Sequence, residues 1–151
     1  MNIVKQLDQY DESCVYFGEP IKNNVMNDSV FIRILYSNSL MTLSGIYLLI
    51  NIQELECEKY YNKFKCSFNT ERHIGIIHKL KQFEIDLLEK IEIKNKLPQY
   101  KIYDLFKNGV FKFFNEIITR ENNTFILKIS GIWETPYTYG LTYKLISVQP
   151  E

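Results

Sequence analysis

Residues 30–36, VFIRILY, alternate between two faces. Val30, Ile32, Ile34 and Tyr36 point one way, and Phe31, Arg33 and Leu35 the other. That period of two predicts a half-buried β-strand. The run SNS breaks it, and residues 42–52 predict a second strand. Residues 60–68, YYNKFKCSF, predict a third. Tyr60, Asn62, Phe64, Cys66 and Phe68 then share one face, and Lys59, Tyr61, Lys63 and Lys65 the other.

The period then lengthens. From Thr70 to about Glu92, Ile77, Leu80, Phe83, Leu87, Leu88 and Ile91 form the stripe of an amphipathic helix. Asn69 or Thr70 suits its N-cap and Glu71 its first turn. The segment KNKLPQ ends it, because Pro98 disfavours helix at the residue before it. Residues 101–107 predict a short helix closed by Asn108 and Gly109. Residues 110–114 predict a strand, and 119–123 a polar stretch. Residues 125–134 and 141–148 predict a final hairpin joined through TPYTYG. Residues 1–28 are mixed, with turns at FGEP and at NNVMND, residues 23–28.

The order β-β-β-α-α-β-β-β predicts an α+β fold, a mostly antiparallel sheet or small OB-like barrel with one long amphipathic helix. The length of 151 residues suits a single domain, residues 1–151, with a helical insert at about 70–108. Hydrophobic residues make up 46%, enough for a core and too many for a disordered chain. The most apolar stretch, residues 40–52, is too short to span a bilayer, and the first residues hold no apolar signal core. The expectation is an intracellular protein, in the nucleus or cytoplasm of a host cell, with no membrane partner. Cys14, Cys57 and Cys66 are then expected reduced.

Catalytic chemistry finds little support. Cys57, Cys66, His73 and His78 lack the short spacings of structural zinc sites. The two histidines, five apart on a helix, do not share a face. No nucleophile elbow and no glycine-rich phosphate loop occur. Glu54, Glu56 and Glu58 read as a solvated turn. The reading is non-enzymatic, with no metal and no cofactor.

Charge is balanced overall, 18 basic against 18 acidic residues, which argues against a protein that coats nucleic acid through bulk charge. It is unevenly spread: residues 94–128 carry seven basic groups against three acidic. The row Lys59, Tyr61, Lys63 and Lys65 combines phosphate-binding cations with an aromatic that stacks on bases. A solvated, aggregation-resistant edge is the plainer alternative. In the final hairpin, Lys128 and Ser130 face away from Phe125, Leu127, Ile129 and Trp133, which places Trp133 in the core. Lys144 lies on the neighbouring strand, and Tyr137 and Tyr139 fall in the connecting loop as exposed platforms. Arg33, the lone cation between Phe31 and Leu35, is assigned to the same surface.

The segments FILKISGIWETPYTYGLTYKL and VFIRILYSNSLMTLSGIYLLINI resemble a family of small proteins from large DNA viruses of eukaryotes, arthropod viruses among them, and related mobile elements. The resemblance covers roughly residues 15–147, and its specific words lie in the last hairpin. It implies an OB-fold single-stranded-DNA-binding accessory protein of DNA replication, with no catalytic motif. Single-stranded DNA is the expected partner, with RNA as the second nucleic-acid candidate. The rival reading is a protein-interaction module, a virion component or a modulator of host proteins, with homo-oligomers left open.

Overall fold

A computed structural model of the chain describes residues 3–22, 29–114 and 116–148. The turn predicted at residues 23–28 lies outside them. Two single-turn 3-10 helices, Leu7–Gln9 and Glu12–Cys14, lead into β1 (Val15–Phe17) and β2 (Ile21–Lys22). There follow β3 (Val30–Ser37), β4 (Thr42–Ser44), β5 (Ile46–Asn51), β6 (Glu56–Tyr60) and β7 (Lys63–Ser67). A 3-10 turn at Thr70–His73 opens into α1 (Ile74–Lys90), then β8 (Leu97–Gln99), α2 (Lys101–Asn108), β9 (Val110–Phe114), β10 (Thr124–Glu134) and β11 (Thr138–Ser147). The architecture is α+β, a curled half-barrel sheet with one long helix, consistent with an OB-like fold.

The curl comes from strands that change partners. The first half of β3 pairs with β10, and the second half with β1 and β4. β4 and β5 are one run of chain interrupted at Gly45, whose φ of 105° suits glycine alone. β4 stays on β3, while β5 crosses to the first half of β10. β10 carries β11 along its other side, antiparallel.

A register shift between Ile129 and Gly131 decides which residues β10 buries. Phe125, Leu127 and Ile129 are fully buried, and then Ile132 takes over. The shift inserts one residue and reverses the alternation. Trp133 is therefore turned out of the core, contrary to the unbroken pattern. It is half-buried, paired with Gly140 and Phe31, with the Lys101 Nζ 4.9 Å from its ring.

A second sheet, in the order β6-β7-β9, is antiparallel throughout. Residues 60–68 are thus not one strand, since the chain reverses at Tyr61 and Asn62. Phe113 of β9 stacks on Phe125 of β10 at 5.7 Å, and Phe111 meets Phe125 edge-on at 5.6 Å. These rings join the two sheets in one core.

Both helices form where the sequence places them. Asn69 accepts from the Glu71 N–H, and the stripe Ile77, Leu80, Phe83, Leu87 and Leu88 is buried. α2 ends at Gly109, φ 70°, whose N–H donates to the Leu105 carbonyl. β8 falls in the segment that the sequence reads only as the end of α1. It is a three-residue edge strand containing Pro98, parallel to the start of β11.

Glu84 interrupts the apolar face of α1. It is fully buried, and its carboxylate accepts from the Ile102 N–H at 3.0 Å and the Tyr103 N–H at 2.8 Å. Tyr100 supplies no side-chain cap to α2, so Glu84 satisfies that helix start from a neighbouring helix. Burial outweighs these hydrogen bonds and pushes the Glu84 pKa from 4.5 up to about 7. The folded protein then holds a proton between about pH 4.5 and 7 that the unfolded chain has released. Stability is expected to fall as pH rises through that window, by up to about 3 kcal/mol. Urea melts from pH 4.5 to 8 on the wild type and Glu84→Gln check this. The variant should flatten the slope in that window.

Candidate nucleic-acid interface

The hairpin β6–β7 has a two-residue turn, and Tyr61 at its first central position has φ 58°. Glycine is favoured at such a position. Tyr61 is 82% exposed and meets Tyr60 edge-on at 4.8 Å. An exposed tyrosine is thus held at a backbone conformation that costs about 1 kcal/mol. Tyr61→Gly is expected to leave stability equal or higher by up to about 1 kcal/mol. If Tyr61 stacks on a base, the same change should weaken ligand binding by about 1–3 kcal/mol. Thermal melts and oligonucleotide titrations on one sample read both effects.

Cross-strand register sorts the residues of this sheet. Tyr60 pairs with Lys63 and Lys63 with Phe114; Glu58 pairs with Lys65 and Lys65 with Lys112. Paired residues share a face. The outer face therefore carries Tyr60, Lys63, Lys65, Lys112 and Phe114, beside Glu58. Phe114 is 61% exposed, a large apolar surface that nothing covers among the described residues. Lys59 pairs with Phe64 and so lies on the opposite face from Lys63 and Lys65. The expected single row of Lys59, Tyr61, Lys63 and Lys65 is corrected accordingly: the turn places Tyr61 at the tip and divides the lysines.

Beside this face runs a cleft of about 1050 Å³. One wall is β9, and the other is residues 143–146 of β11, with Leu105 and Asn108 of α2 between them. Lys65, Lys112 and Lys144 all line it, against one acidic residue, Glu116. The cleft is the seam where the half-barrel stays open. Among the described residues, β9 pairs only with β7, and residues 141–146 of β11 pair only with β10.

On the outer face of the main sheet, Lys128 stands opposite Lys144 on one side and Tyr47 on the other. Its Nζ lies 5.6 Å from the Tyr47 ring. Two like-charged cross-strand pairs therefore meet at the seam: Lys65 and Lys112 both line it, and Lys144 lines it with Lys128 opposite on the next strand in. Directly opposed like charges destabilise a sheet.

Of the expected set, the fold brings Lys65 and Lys144 to the cleft, with Lys63 on the face of Lys65 and Lys128 opposite Lys144, and it adds Lys112 and Phe114. The alternation of residues 110–114 already placed Lys112 and Phe114 on one face; the pairing of β9 with β7 was the missing signal. Other expected members sit elsewhere. Arg33 is exposed on β3, opposite Gly131. Tyr137 is 80% exposed in the β10–β11 turn. It is seven residues from Lys144, about 24 Å along an extended strand. Tyr139 is not exposed. It belongs to β11, lies 7% exposed against the β8 edge, and burial raises its pKa. The strand begins three residues earlier than the pattern suggested because Tyr139 and Gly140 pair with β10 on one side and residues 138–140 with β8 on the other.

His73 is structural in its contacts: Nε2 accepts from the Gln53 N–H at 2.9 Å and Nδ1 donates to the Asn69 carbonyl at 2.7 Å. Among the described residues, no group of three or more metal-ligating side chains occurs, and no helix is long and apolar enough to cross a membrane. No family model, curated protein or solved structure matches this chain.

Proposed function

We propose that this is a non-enzymatic accessory protein that binds single-stranded nucleic acid along the open seam, in a role serving DNA replication of the viral type. The observation that carries this reading is the placing of two opposed lysine pairs, Lys65–Lys112 and Lys128–Lys144, beside a cleft edged by Phe114. Such pairs weaken the empty sheet, and an anionic backbone between them relieves the repulsion. Tyr60, Tyr61 and Phe114 offer faces to unstacked bases, which a duplex does not present. Anisotropy titrations of labelled oligo-dT, oligo-U and duplex DNA over a salt series test it. Single strands should bind more tightly than duplex, and affinity should fall steeply with salt. No binding of any oligonucleotide at low salt and micromolar protein would sink the proposal.

One observation favours a second reading, a protein-interaction module. Among the described residues, the edges of β9 and of residues 143–146 are unpaired and face one cleft, a geometry that accepts an added strand. A bound peptide strand would slow amide exchange on both edges with little dependence on salt, which separates it from the first.

A further inference from the structure

The hairpin that carries the basic residues also holds two of the three cysteines. Cys57 of β6 and Cys66 of β7 are direct cross-strand partners. The turn fixes what kind of partners they are. Tyr60 and Lys63 flank a two-residue loop, so they form the narrow pair that exchanges both backbone hydrogen bonds. Pairs alternate along an antiparallel ladder. Tyr60–Lys63 and Glu58–Lys65 are hydrogen-bonded pairs, while Lys59–Phe64 and Cys57–Cys66 are not. In the second kind the Cα atoms stand about 4.5 Å apart with side chains closest together. That lies within the Cα separation a disulfide spans, roughly 4.4–6.8 Å.

The partners differ in access. Cys66 is fully buried, while Cys57 is half-buried on the outermost strand of its sheet. Cys14 lies on a different part of the fold, before β1.

We infer that Cys57 and Cys66 are a reversible redox pair, closing to an intrachain disulfide when the protein meets a small disulfide such as oxidised glutathione. The Cys57 thiol gives its proton to solvent, and the thiolate attacks one glutathione sulfur. A mixed disulfide forms and one glutathione thiolate leaves. The Cys66 thiol passes its proton to a departing thiolate, and its sulfur attacks Cys57 Sγ. The Cys57–Cys66 bond forms and the second glutathione leaves. Two protein thiols are oxidised, and one glutathione disulfide is reduced to two thiols. Burial raises the Cys66 pKa and disfavours its thiolate, so this second step is the slow one. The bond staples the ends of the segment bearing Tyr60, Tyr61, Lys63 and Lys65, and holds β6 to the rest of its sheet. This inference rests on register and burial, and stands whether or not the seam binds nucleic acid.

The test uses the folded full chain in buffers of graded glutathione ratio, quenched with N-ethylmaleimide, then unfolded and weighed. Oxidising buffers should lower the number of alkylated thiols from three to one, and dithiothreitol should restore all three. Trypsin cuts after Lys59, Lys63 and Lys65, so the two cysteines leave on separate peptides unless bonded. The expected digest contains those peptides joined and Cys14 alkylated. Cys57→Ser should keep both remaining thiols alkylated under the same oxidation. Three thiols surviving in the wild type, a glutathione adduct that persists on Cys57, or a bond to Cys14 would each overturn the inference.

Discussion

Gly131→Ala is expected to destabilise the fold by about 3 kcal/mol or more, and urea melts should show a lower midpoint with an unchanged slope. A Cβ at Gly131 would stand 2.3 Å from the Ile32 carbonyl oxygen and 2.5 Å from the Phe31 ring. The ring atoms are the far end of a side chain, but the carbonyl belongs to the β3 ladder against β10 and is held in place. Relief requires separating β3 from β10 where the register shift lies. Gly75→Ala is the natural control. Gly75 is an exposed position in α1 with nothing within 4 Å of an added Cβ. That change should stabilise by roughly 0.5–1 kcal/mol through helix propensity. Opposite signs from the same chemical change would confirm that close backbone approach sets the effect.

The same register shift explains what could be read from the chain and what could not. Helices announce themselves locally: the stripe of α1, the Asn69 cap and the Gly109 stop are all within a few residues of what they control. Strand faces in β3 were equally legible, with Ile32, Ile34 and Tyr36 buried and Arg33 exposed. A one-residue bulge leaves no comparable local mark. Ser130 and Gly131 sit inside an otherwise unbroken apolar alternation, so the inversion at Trp133 depends on how β3 and β11 approach. The turn at Tyr61 and Asn62 carries no mark in the sequence, because neither residue is glycine and Tyr61 sits where glycine is favoured. Lys112 joined the site only through the pairing of β9 with β7, across the whole helical segment. The individual lysines were visible in the sequence; their opposition across strands was not.

That opposition supplies the last expected result. Replacing Lys65, Lys112 and Lys144 together with alanine should reduce the salt dependence of oligo-dT binding by about 2 in the slope of log K against log salt. The figure follows from about 0.7 counterion released per phosphate neutralised on a single strand, at three lysines that share one cleft. Over a fourfold rise in salt the wild type and variant should then diverge by more than tenfold. Loss of fold would also abolish binding, so stability must be read alongside. Here the two readouts are expected to move in opposite directions. The triple change removes the Lys65–Lys112 and Lys128–Lys144 repulsions, and the free protein should be unchanged or more stable by a few tenths of a kcal/mol. Glu58 loses its Lys65 partner, which offsets part of the gain. Exposed charge pairs of this kind contribute little, so the sign should hold. An unchanged slope with an intact fold would show that these lysines are a solvated surface and that any nucleic acid binds elsewhere. A reduced slope without lost stability would mean that the sheet tolerates opposed cations for the ligand they hold.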